Sequence, residues 1–146
     1  VIVTDALNGK TVLVGAGLAG LTWRFTRPSA DTVTNYTNAS ISVRFFELDK
    51  KFKPISTTPA LSLSIGSGIT RSTNTASSQA GLFQVTAAQL GTLLGTAEAK
   101  NFAYVWYIQP VGYEAVRAFV GDGYDGRFLL AKEGYAGSQD GEIKVS

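Results

Sequence analysis

The residues best placed to do chemistry stand in Gly15-Ala16-Gly17-Leu18-Ala19-Gly20, directly after the β-branched run Thr11-Val12-Leu13-Val14. The spacing is G-x-G-x-x-G, which lets a backbone turn tightly and approach a pyrophosphate at a helix N-terminus. That chemistry needs a helix opening at Gly20 and an acidic residue closing a second strand about twenty residues on. Glu47, at the end of "ISVRFFEL", mimics the acidic residue. The helix is missing from the pattern: Leu21-Thr22-Trp23-Arg24-Phe25-Thr26 alternates with period two and runs into Pro28. The expectation is that no cofactor binds here. Gly15, Gly17 and Gly20 then relieve crowding at a bulge, a bend or a close subunit approach in a β protein.

Other candidate groups resolve the same way. Glu47 and Asp49 share the parity of one strand face, as an acid/base pair would, but read as solvent-facing carboxylates at a strand end. Asp122 and Asp125 lie among glycines in "GDGYDGRF", which lacks the ligand offsets of a helix–loop–helix calcium site and reads as a turn between strands. Lys50-Lys51-Phe52-Lys53 is the densest basic stretch and reads as a solvated turn. Asn35 and Asn38 each open a formal glycosylation acceptor. Trp23, Trp106, Tyr104 and Tyr107 could stack on sugar, but alternating aromatics on strands belong more often to a core.

Composition narrows the chemistry further. The 146 residues contain no Cys and no His, which removes thiolate nucleophiles, disulfides, His general bases and His- or Cys-ligated metals. No catalytic, cofactor-binding or metal-binding residue is therefore expected. Net charge is +2, from 13 Lys and Arg against 11 Asp and Glu, too balanced to make nucleic acid or a membrane surface the expected partner. No apolar run reaches membrane-spanning length. Hydrophobic residues make up 45%, enough for a folded domain with a core of its own.

The elements that must position these groups are mostly strands. Ile41, Val43 and Phe45 alternate with polar neighbours, Leu61, Leu63 and Ile65 share a face, and "FAYVWYIQPV", "EAVRAFVG" and "GRFLLA" keep the habit. One segment reads as helix: Thr86 is its N-cap, Gln89 completes a capping box, Leu90, Leu93 and Leu94 form one face, and Gly95 ends it. Residues 66–80 are rich in Ser and Thr and read as a long loop or an extended hairpin tip. Three stretches are expected: an extended N-terminal arm or edge segment over 1–19, a β domain over 20–133 and a C-terminal tail over 134–146.

From about residue 20 to 131 the order of features resembles the Ig-like β-sandwich modules of tailed-phage virion proteins. The resemblance is carried by "GLTWRFTR", the polar lead-in of "NYTNASISVRFFEL", "GLFQVTAAQLGTLLG" running from strand into short helix, "YVWYIQPVG" and "AVRAFVGDGYDGRFLL". It implies an all-β, Ig-like antiparallel sandwich of about seven or eight strands, with one short helical turn near residues 86–94. It also implies a non-enzymatic virion subunit, either a capsid decoration (cement) protein or a tail or baseplate component. Its partners would be the major capsid protein or tail and baseplate subunits, with self-association as a dimer or trimer. Absence of Cys fits assembly in a reducing host cytoplasm. The competing expectation is a carbohydrate-binding or adhesive β-sandwich that uses exposed aromatics.

Overall fold

The computed structural model describes residues 2–15, 17–120, 125–135 and 142–143, and among these the chain forms eleven strands and one helix. The strands are β1 (Ile2–Asp5), β2 (Thr11–Leu13), β3 (Leu18–Thr26), β4 (Ser40–Glu47), β5 (Leu61–Ile65), β6 (Gly68–Asn74) and β7 (Ser78–Val85). After α1 (Ala87–Leu94) come β8 (Ala99–Gln109), β9 (Val116–Val120), β10 (Gly126–Ala131) and β11 (Glu142–Ile143). The fold is all-β with a single short helix.

Period-two sequence becomes one-sided burial. On β3, Leu21, Trp23 and Phe25 are buried while Thr22, Arg24 and Thr26 face solvent. On β4, Ile41, Val43 and Phe45 are buried and Arg44 is exposed. The helix forms as its capping signals require: the Thr86 hydroxyl accepts from the Gln89 N–H at 3.1 Å, and the Gln89 side chain accepts from the Thr86 N–H at 2.9 Å. Leu90, Leu93 and Leu94 pack into the core.

Pairing runs β8–β4–β5–β6–β7–β3–β1–β9 and returns to β8, closing eight strands into a barrel. Two seams in that ring are narrow. β5 meets β6 in parallel through Ser64↔Gly68 and Ile65↔Ile69, and β1 meets β9 in parallel through Ile2↔Phe119 and Val3↔Val120. Between the seams lie two broad antiparallel groups, β1–β3–β7–β6 and β9–β8–β4–β5.

β8 is the longest strand and serves three partners. One edge pairs with β4, while the other is divided between β10 (Ala99 to Tyr104) and β9 (Trp106 to Ile108). Phe102 through Trp106 are buried on both faces. β2 runs parallel to β10 on one side and to β11 on the other.

Residues 1–19, read from sequence as an extended arm or edge segment, supply β1 and β2, and Val3, Leu7 and Val12 are wholly buried. Residues 66–80 supply the β6–β7 hairpin, with Ile69 in the core; their Ser and Thr residues face outward along its strands. Most of the tail after Tyr135 lies outside the described residues, apart from the β11 pairing.

The core is aromatic. Trp23 of β3 and Trp106 of β8 meet with ring centroids 5.8 Å apart, joining the two antiparallel groups, and Phe83 stands edge-on to Trp106 at 5.3 Å. Phe45, Phe102, Tyr104 and Phe128 form a second cluster with centroids 5.5–6.0 Å apart.

Candidate interaction surface

The glycine motif is built into a strand. Leu18 to Thr26 is one continuous element, so strand stands where a dinucleotide fold opens its helix. Two glycines show why the motif exists. The β3–β7 register shifts between Leu18 and Leu21, and Gly20 occupies that bulge with φ +71°, in the left-handed region that a side chain disfavours. Gly17, at φ +82°, lies so close to the start of α1 that an added Cβ would stand 2.7 Å from the Ala87 nitrogen. A bulge is one of the expected geometries; the close approach at Gly17 is made within the chain, to the start of α1, and not to another subunit.

Beside that bulge two adjoining hollows open on the surface. β1, β3, β7 and β6 turn their polar parity outward, so Thr22, Leu82 and Thr70 stand side by side across three strands. One hollow of about 480 Å³ runs from Gly20 past Leu82 and Gln84 to Ser67 and Gln89. A second, of about 470 Å³, continues over Thr4, Thr22, Arg24, Ser72 and Ala80. The side chains here are short, hydroxylated or absent, and the one large apolar group is Leu82, 44% exposed. Among the residues lining the two hollows, Arg24 and Asp5 are charged, one of each sign. This is a broad, shallow, nearly neutral face. Sequence reasoning missed Leu82 as a surface residue, although its parity with Gln84, opposite Phe83 and Val85, was the signal available.

The remaining candidates are dispersed. Glu47 accepts from the Lys100 ammonium at 3.1 Å, whereas the Asp49 carboxylate accepts from its own turn, from the N–H groups of Lys51 at 2.8 Å and Lys53 at 3.0 Å. They do not form an acid/base pair. Asp125 pairs with Arg117 at 2.5 Å, and Asp122 lies outside the described residues. Asn38 exchanges two 2.8 Å hydrogen bonds with Asn74, which ties the "NYTNAS" segment to the β6–β7 hairpin. Trp23, Trp106 and Tyr104 are at most 1% exposed, so they are core groups and offer no sugar-stacking platform. Tyr107 is half-buried beneath the Arg44 guanidinium, 4.5 Å from its ring.

Two polar clusters hold the scaffold rigid beneath this surface. Asp5, at the end of β1, accepts from the Tyr104 hydroxyl at 2.8 Å, the Trp106 indole N–H at 2.9 Å and the Leu7 and Asn8 N–H groups. Burial, then the Asp5 charge and hydrogen bond, hold the Tyr104 hydroxyl far above the ordinary phenol range. Buried Gln79 donates to the Tyr36 carbonyl and the Asn74 side chain, both at 2.9 Å, and accepts from Arg71 at 3.0 Å. Tyr36 donates to Asp31 at 2.5 Å; that bond, then the Val33 N–H, hold the Asp31 carboxyl below its usual value. Every buried side-chain polar atom among the described residues has a partner.

Among the described residues no helix is long and apolar enough to cross a membrane. No protein-family model matches the chain, and no curated protein matches it. Among solved structures, the crystal structure of the periplasmic chaperone SfaE is similar at 13% identity and a TM-score of 0.36, with the alignment covering 92% of this chain and 58% of that one.

Proposed function

We propose that this chain is a non-enzymatic structural subunit of a bacteriophage virion, a capsid decoration protein or a tail or baseplate component, which works by protein–protein docking. Its fold is then an Ig-like sandwich, a reading supported by the two broad antiparallel groups that meet edge to edge through only two residue pairs at each seam. The virion assignment rests on the order of sequence features from "GLTWRFTR" to "AVRAFVGDGYDGRFLL".

The observation that carries docking is the outer face of β1–β3–β7–β6. A shallow surface of short side chains around one exposed leucine suits a flat protein partner and encloses no small molecule. Near neutrality lets the face meet a second copy of itself without like-charge repulsion, burying Leu82 against Leu82. Copies that self-associate this way would reach a repeating virion lattice with multivalent strength.

The test is immunoelectron microscopy of virions from the chain's source with an antibody raised against it, alongside the native mass of the purified chain. Regularly spaced label on capsid or tail and a discrete homo-oligomer are expected. Unlabelled particles would overturn the virion assignment, and a monomer at every concentration would overturn self-association.

A further inference from the structure

A second surface differs from the neutral face in both charge and shape. The turn joining β4 to the following segment is tightly made: the Phe52 N–H donates to the Asp49 carbonyl at 3.0 Å, the Asp49 N–H to the Lys53 carbonyl at 2.8 Å, and Leu48 bridges Pro54. Phe52 is held there at φ +61°, a region rarely adopted by a bulky side chain, and its ring is 49% exposed. Ile55, three residues on, is 57% exposed. Strained backbone that displays an aromatic to solvent is the kind of outlier that points to a binding role.

The ring borders a slot of about 210 Å³ walled by Lys10, Thr11, Leu48, Asn101, Arg127 and Leu129. The Arg127 guanidinium lies 5.5 Å from the Phe52 ring centroid. Lys50, Lys51 and Lys53 are exposed on the same turn. Among the described residues these five cations form no ion pair; Glu47, Glu98 and Asp125 are engaged with Lys100, Lys132 and Arg117. Asp49, on the same turn, is turned to its own backbone.

We infer that the Phe52 turn is a docking site for an acidic segment of a different protein, with one apolar side chain seated in the slot against Phe52 and flanking carboxylates on Lys10, Arg127 and the turn lysines. Charge complementarity selects the occupant. A second copy of this chain would set cations against cations, which costs affinity and specificity. A nucleic acid would need cations tracking a backbone, whereas these surround a single apolar slot in a chain whose net charge is only +2. The inference does not depend on the virion assignment.

The experiment is a fluorescence-anisotropy titration with two labelled probes: a heptapeptide of aspartates and glutamates around a central leucine, and an oligothymidine of equal charge. The peptide is expected to bind, weakening steeply with added salt. Phe52→Ala should weaken it at least about tenfold, as loss of an anchor does. Lys51→Glu with Lys53→Glu should weaken it further and flatten the salt dependence. All these positions are exposed, and an unchanged circular dichroism spectrum checks that the variants fold. No peptide binding, or peptide affinity unmoved by Phe52→Ala, would overturn the inference. Tighter binding of the oligothymidine would overturn it in favour of nucleic acid.

Discussion

Asp5 makes more of the interior's polar contacts than any neighbour on its strand, and removing it should be costly. Asp5→Ala leaves the buried Tyr104 hydroxyl and Trp106 indole N–H without an acceptor, so a loss of about 2–4 kcal/mol is expected. Urea unfolding followed by tryptophan fluorescence measures it, and a change below about 0.5 kcal/mol would contradict this role. Tyr104 gives the alkaline counterpart. Its hydroxyl stays protonated in the fold while the unfolded chain ionises near 10, so its contribution is complete below that value and is lost as pH rises beyond it. The stability gap between wild type and Tyr104→Phe should therefore shrink as pH rises beyond about 10, measured by urea unfolding at a series of pH values. Asp31 works in the opposite direction. Its folded value lies below 3.8, so its contribution is complete above that pH and is lost as pH falls through the lower folded value. The stability gap between wild type and Asp31→Asn should therefore be present at neutral pH and close in acid. The Asp5–Tyr104 role was not legible in the sequence, because Asp5 meets its partners from 99 and 101 residues away and no local pattern encodes such a contact.

At the scale of elements, the sequence was most informative where one residue's type suffices. Thr86 and Gln89 marked the start of α1, and alternating apolar residues marked β3, β4 and β8. The sequence was less informative for β1, read only as part of an extended arm or edge segment, and for β6, where Ile69 alone is buried. Such strands form because their neighbours offer unpaired edges, which is a property of the assembled fold and not of the segment. The glycines separate the two cases. Gly20 faces open space, so Gly20→Ala adds only backbone strain, with about 1 kcal/mol of destabilisation expected. Gly126 lies under the Tyr104 ring, where a Cβ would stand 2.2 Å from the ring carbon, so Gly126→Ala should cost about 1–3 kcal/mol and disturb the Asp5 contacts as well. Thermal midpoints of the two variants, measured side by side, test the order; Gly20→Ala as the more damaging change would contradict it.

At the scale of the molecule, a closed ring of strands solves a problem of its own. With β8 serving three partners and β1 and β9 sealing one side, every strand of the ring has a neighbour on both edges, which favours side-chain surfaces over strand addition as the ground for association. Two such surfaces differ in character: a nearly neutral, leucine-centred face, and a basic, phenylalanine-centred turn. The central claim is that the face around Leu82 is where this chain docks. Sedimentation velocity of the wild type and of Leu82→Arg, over a range of concentrations, tests it most directly. The account predicts a discrete oligomer for the wild type and a monomer of unchanged circular dichroism for Leu82→Arg. Equal oligomers in both, or a monomer in both, would contradict it.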